Sequence, residues 1–255
     1  HLTVLALNEE GYHNLVAWTT FAAQPENFYY NPRISLEMMA VVAPYDLGNN
    51  VILSGCLGSE LCSHLATTDD VTEAIPYVDA VKSIFPYFYI EVQNHELDKF
   101  MGRGFENYEG MVRREEVVRN RLLALAKATG TKVILTNDSH FQTVKQRETH
   151  LMMTAQKRQR GGPVRTHLDF LPEYGYFTNY MQSMEKIAER TKDLPQDALE
   201  NAIELGELAD IRLAPLDDFK YSIPFSGYDD PIKKIRQRSM VRLHELKKKY
   251  GKHAI

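Results

Sequence analysis

The segment VILTNDSHF (133–141) constrains the chain more than any other, because a run of apolar and β-branched residues gives way at once to a polar cluster. Val133, Ile134 and Leu135 read as a strand covered on both faces, the kind found in parallel sheets. At a strand period of two, Asp138 and His140 point to the same side. A carboxylate beside an imidazole at the end of a buried strand suits a divalent metal ion. The same residues also read as a helix N-cap followed by a surface histidine, and this stretch alone leaves both readings open.

Three further segments carry a strand pattern. HLTVLAL (1–7) alternates and then runs apolar, VILSG (51–55) is short and ended by Gly55 and Gly58, and FYIEVQN (88–94) precedes a polar loop. Between them lie helical patterns. Residues 8–24 place Leu15, Val16, Trp18, Thr19 and Ala22 at helical spacing behind Asn8 as a cap, and further helices are expected around 35–41, 72–85 and 110–129. Pro25 to Pro32 read as an aromatic-rich loop. Strands alternating with helices predict an α/β fold with largely parallel pairing.

Beyond about residue 143 helical patterns dominate, near 143–157, 179–192 and 197–211, with Tyr174–Thr178 as a possible strand. The Pro-, Asp- and Ser-rich stretch 213–231 reads as an extended connector. It separates a body, 1–212, from a basic terminal segment, 232–255. In that last segment Ile232, Ile235, Leu243, Leu246 and Tyr250 fall roughly on one helical face, so its Lys and Arg residues read either as a solvated face or as a DNA-contacting one.

Composition excludes several classes. At 44% hydrophobic and 25% charged the chain is that of an ordinary globular protein, and a net charge of −4 carries no overall nucleic-acid signature. Two cysteines, Cys56 and Cys62, are no disulfide framework and fit a reducing, cytoplasmic setting. No apolar run approaches the roughly 18 residues of a membrane span. The chain starts at His1 with a strand already under way, which reads as a piece of a longer polypeptide.

In folds of parallel strands, ligands gather at the carboxyl ends of the strands. That rule selects Cys56 after the second strand, His95 after the third, and Asp138 and His140 after the fourth. A thiol, two imidazoles and a carboxylate would converge on one rim, a mixture that zinc and similar ions tolerate. Each residue also has a plain structural reading: Cys56 as a small buried side chain, His95 as a surface imidazole. The sequence holds no G-x-S-x-G, no phosphate-binding glycine loop and no H-E-x-x-H, and a Cys56–His140–Asp138 nucleophilic triad is the less natural arrangement.

HLTVLALNEEGYHNL, VILSGCLGSE, FYIEVQNHE and VILTNDSHF, in this order and spacing, resemble the polymerase-and-histidinol-phosphatase (PHP) domain found at the amino end of bacterial DNA polymerase III alpha subunits. The resemblance covers roughly residues 1–225. It implies a distorted (β/α)7 barrel, incomplete here because the first strands are missing, followed by helical segments. It implies metal ligands at His1, Cys56, Asp138 and His140, with His95 at a recurrent histidine position, and a divalent cofactor, zinc or manganese. Further ligands would precede His1, and the magnesium-dependent polymerase regions would follow residue 255.

The function so implied is that of a DNA-directed DNA polymerase in replication. Its PHP site would hydrolyse phosphoesters, as in 3′→5′ exonuclease proofreading, or support the polymerase structurally. Expected partners are DNA, reached through the full polymerase, and replisome subunits such as a proofreading exonuclease or sliding clamp, with no membrane. The 255-residue chain by itself is expected to bind metal weakly and to be inactive. The alternatives are a stand-alone phosphoesterase acting on a small phosphate monoester and a metal-free scaffold module.

Overall fold

The structure is a computed structural model and describes residues 1–95, 109–147, 149–150, 153, 180–212 and 231–250. The chain divides into two compact units, His1–Arg212 and Leu213–Ile255. The Tyr174–Thr178 segment, the connector over 213–230 and part of the helix expected at 143–157 lie outside the described residues.

The first unit is mixed α/β. Its sheet has four strands in the order β1 (Thr3–Ala6), β4 (Asn50–Leu53), β5 (Phe88–Val92) and β6 (Val133–Leu135). Every residue of β4, β5 and β6 is buried, as expected for strands with both faces covered. Alternate residues supply two cores. Ile52, Phe88, Ile90, Val92, Val133 and Leu135 face a large cluster with Trp18 and the apolar stripes of α3 (Glu60–Leu65), α4 (Ile75–Ile84) and α5 (Glu109–Thr129). Val51, Leu53, Tyr89 and Ile134 face a smaller cluster closed by Leu205 of the helix Gln196–Leu208.

Pairing is parallel for β4–β5 and β5–β6, in line with the largely parallel pairing expected, while β1 at the edge runs antiparallel to β4. The reason lies in the connection. From β1 the chain passes through α1 (Glu9–Ala22), the aromatic stretch and α2 (Leu36–Val42), and it returns to the end it left, where the Leu7 amide donates to the Asn49 carbonyl at 2.9 Å. β4 therefore starts opposite the last residue of β1, Ala6 against Asn50. The aromatic stretch itself is not a plain loop. Phe28–Tyr29 (β2) and Asn31–Pro32 (β3) form a two-residue antiparallel ladder with Tyr30 at its tip.

A buried amide pair holds α1 against the start of β4. Asn14 donates to Asn50 Oδ1 at 2.8 Å and accepts from the Tyr45 amide at 3.0 Å. Asn50 in turn donates to the Gly11 carbonyl at 3.0 Å, and both asparagines are fully buried. The approach is close enough that a Cβ on Gly11 would lie 2.1 Å from the Asn49 carbonyl oxygen, so only glycine fits there.

Replacing Asn50 with Ala removes the shortest bond of the Asn14 amide, which keeps only the longer contacts to the Tyr45 and Asp46 carbonyls at 3.4 and 3.3 Å, and takes a donor from the buried Gly11 carbonyl. The expected loss is about 2–3 kcal/mol, read as a lower denaturant midpoint with unchanged slope. A midpoint equal to wild type would show that the pair is dispensable.

Candidate metal centre

The antiparallel β1 has a consequence for the site. Thr3, at the start of β1, pairs with Leu53, at the end of β4, so His1 reaches the same rim as the carboxyl ends of β4, β5 and β6. There His1 Nε2 lies 3.0 Å from Cys56 Sγ. Gly55 makes this possible. It adopts φ +84, and a Cβ on it would stand 2.7 Å from the His1 carbonyl oxygen. Burial pushes the half-buried Cys56 thiol up; the Gly58 amide opposes this, and the charges of Asp138 and Glu91 add to the rise.

The other three candidates form a second group. Asp138 Oδ2 lies 3.5 Å from His95 Nε2 and 3.2 Å from His140 Nε2. The same-face argument for Asp138 and His140 is corrected in its detail, since β6 ends at Leu135 and neither residue is on the strand. A tight turn brings them together instead, with the Ser139 amide donating to the Asn137 carbonyl at 2.8 Å across Asp138. The Asn137 side chain anchors that turn on the Tyr180 carbonyl at 2.8 Å.

Two carboxylates escaped the sequence reading. Glu115 Oε1 lies 2.6 Å from His95 Nδ1 and accepts from the His95 amide at 2.8 Å, which aims Nε2 at Asp138. A signal for it was present, because Glu115, Val118, Leu122 and Leu125 fall three to four residues apart on the buried stripe of α5. Glu91, the single charge within the FYIEV strand, accepts from Thr3 Oγ1 and the Gly55 amide, both at 3.1 Å, on Oε2. Its Oε1 accepts from Gln93 at 3.1 Å and Thr136 at 2.5 Å. The His150 ring lies against that of His140, tilted, with centroids 5.5 Å apart.

Electrostatics follow from burial. Desolvation works against the charged form of His95, but the Asp138 and Glu115 carboxylates outweigh it and raise the imidazole to about 9. The hydrogen bond to Asp138 raises His140 as well, against the effect of its burial. Asp138 is held far below the usual carboxylate range by its bonds to His140 and His95. Burial, and then the charge of His140, lower His150.

The donor set suits a borderline divalent ion. Contacts of 3.0, 3.2 and 3.5 Å between candidate donors bracket the roughly 3.3 Å separation of neighbours in a tetrahedral shell with bonds near 2.0–2.1 Å. Among the described residues, however, no group of three or more His, Cys, Asp or Glu side chains closes on one point. The structure thus brings His1 to Cys56 and His95 to His140 through Asp138, as two neighbouring groups.

Residues 1–95 match the family model of the PHP domain. DNA polymerase III subunit alpha of Treponema pallidum is 29% identical over 252 residues, 94% of this chain and 19% of its own length. That of Thermus aquaticus is 30% identical over 228 residues, 88% of this chain and 17% of its own. The Chlamydia pneumoniae protein of the same name is 28% identical over 225 residues, 82% and 17%. The chain belongs to the PHP domain family, in the form carried by DNA polymerase III alpha subunits. It spans less than a fifth of the length of these relatives. Within this PHP domain the matched residues 1–95 contain His1, Cys56 and His95, and the 228- to 252-residue alignments extend the likeness well beyond them. No helix among the described residues is long and apolar enough to cross a membrane.

The buried pairing makes stability depend on pH in a definite direction. His95, raised from 6.5 to about 9, contributes fully below pH 6.5, and its contribution is lost as pH rises through 9. Asp138, depressed, contributes above its unfolded value of about 3.9, and its contribution is lost as pH falls. The melting temperature should therefore plateau between about pH 4 and 6.5 and decline towards pH 9. His95→Gln should flatten the alkaline decline; an unchanged decline would remove His95 from its origin.

Proposed function

We propose that this PHP domain serves DNA replication as part of a polymerase alpha subunit, and that its strand-end rim carries out metal-dependent phosphoester hydrolysis, removing nucleotides from a 3′ end. The carrying observation is Asp138, whose Oδ2 stands between His95 Nε2 and His140 Nε2 at 3.5 and 3.2 Å. The fold reading that goes with it is a PHP-type barrel over 1–212, of which the four-stranded sheet is a part, followed by a connector and a basic helix at the start of the polymerase region. Polymerisation and DNA as substrate come from the relatives' printed name, DNA polymerase III subunit alpha; replisome partners are inferred from that role, and a cytoplasmic setting from the free thiols of Cys56 and Cys62.

His95, Asp138 and His140 would have to draw together from their present spacing to hold one divalent ion, zinc or manganese, with His1 and Cys56 as donors beside it. Such an ion supplies an activated water and neutralises charge on the phosphate under attack. The chain's own residues prepare that place. Glu115 fixes the orientation of His95, leaving its Nε2 directed at Asp138. The Glu91 bonds hold Gly55 and Thr136, at the ends of the two strands that flank β5, which sets the spacing between the Cys56 loop and the Asp138 turn. His140, with half its side chain exposed, stands where substrate would enter.

Asp138→Asn in the complete alpha subunit should abolish release of a 3′-terminal nucleotide in zinc or manganese while leaving primer extension largely intact. Glu115→Gln should weaken metal binding by about 10- to 100-fold, the usual effect of losing a group that orients a ligand, measured by titration calorimetry. Equal nuclease activity in the Asp138→Asn protein would assign the domain to structural support of the polymerase.

A further inference from the structure

At the carboxyl end of β5 a buried acceptor stands without a donor. Gln93 gives both hydrogens of its Nε2, one to Glu91 Oε1 and one to Thr136 Oγ1, each at 3.1 Å. The Thr136 hydroxyl commits its own hydrogen to Glu91 Oε1 at 2.5 Å. Turned the other way, the Gln93 amide would set its oxygen against two acceptors, so the network fixes its orientation. Gln93 Oε1 is buried, and among the described residues no donor reaches it. A buried polar atom in a native fold nearly always has a partner, from the protein or from an ordered water.

That amide lines a cavity of about 10 Å³ together with Cys56, Glu91, Glu115 and Arg119. The cavity touches both donor groups of the rim, since Cys56 pairs with His1 and Glu115 holds His95. Arg119 follows Glu115 by four residues on α5, a spacing at which such charges normally join. Here they do not. Glu115 Oε1 is taken by the amide and ring of His95, and Glu91 accepts from four other donors. Among the described residues Arg119 makes neither a hydrogen bond nor an ion pair. The cavity thus offers one uncommitted donor group and one uncommitted acceptor.

Size and charge decide what fits. A volume of about 10 Å³ admits one water-sized oxygen. A bare phosphate oxygen would satisfy Arg119 but would meet Gln93 Oε1 and two carboxylates. A metal ion would meet the Arg119 charge, and among the described residues no three His, Cys, Asp or Glu side chains close on one point. A water molecule satisfies both groups. It donates to Gln93 Oε1 and accepts from Arg119, with the Cys56 thiol as a weak third partner. We propose that Gln93 and Arg119 bind one water molecule between the two donor groups, and that Gln93 is a positioning residue holding it where hydrolysis draws on it. The role rests on the hydrolytic reading; the water site does not.

The test has two arms. A high-resolution crystal structure of the 255-residue chain should show a water about 3.0 Å from Gln93 Oε1 and about 3.2 Å from an Arg119 guanidinium nitrogen, and Q93M should lack it. In the complete alpha subunit, Q93M and R119M should each lower kcat for release of a 3′-terminal nucleotide by about tenfold, the effect of losing one hydrogen bond. KM, and zinc affinity by titration calorimetry, should stay within about twofold of wild type. R119K keeps a donor and should retain most of the rate. Should Q93M fail to fold for want of its two amide bonds, R119M, which gives up no protein bond, reads the same outcome. A crystal structure without that water overturns the proposal, as does unchanged kcat in both variants. A raised KM at unchanged kcat overturns it too, making Arg119 a substrate anchor. A wild type that holds the water but releases no nucleotide overturns the hydrolytic reading and the water's role with it, and leaves the site standing.

Discussion

One buried carboxylate holds the strand ends of the first unit together. Glu91 is 4% exposed, and both its oxygens are engaged: Thr3 and the Gly55 amide on one, Gln93 and Thr136 on the other. These four donors come from the start of β1, the exit of β4, the exit of β5 and the residue after β6. A buried carboxyl group is tolerable only when its polar atoms are met in this way, so these bonds favour convergence of the four segments. The same convergence sets the rim on which every candidate ligand stands. Ser54 reinforces it, its hydroxyl accepting from the Glu91 amide at 2.9 Å.

The direction of β1 matters as much as that carboxylate. In an all-parallel sheet His1, preceding its strand, would lie at the opposite end from Cys56. The return of the chain to Asn49 reverses β1 relative to β4, and the reversal delivers His1 to within 3.0 Å of the thiol. A residue that the strand-end rule would not select thus joins those that it does. The resemblance to the PHP domain pointed to His1; the physical cause is the antiparallel edge.

Much of this was legible in the residues. The apolar runs around Val51, Phe88 and Val133 named three strands correctly, because strands buried on both faces cannot disguise their composition. The caps at Asn8 and the stripe through Trp18 named α1. What escaped depends on contacts distant in sequence. Asp138 and His140 meet through a turn rather than a strand period, and the turn is held by Tyr180, about forty residues on. Glu115 looked like one charge among many on a charged helix, although its place in the 115–118–122–125 series put it on the buried side. Glu91 was a charge in an apolar strand, and a buried charge always asks for partners.

The candidate centre is graded from a fixed end to an open one, and the gradient gives its residues different tasks. Glu115 and His95 have side chains 5% and 6% exposed and are locked by two hydrogen bonds, one of them to backbone. Asp138 is 30% exposed and His140 49%. A locked imidazole defines a position to a fraction of an ångström, whereas a half-exposed one retains the freedom to move as a ligand enters. The buried pair therefore sets where a bound group must sit, Asp138 carries that constraint outward, and His140 meets solvent and substrate. Disturbing Glu115 would misplace the whole series, while disturbing His140 would affect its last member alone.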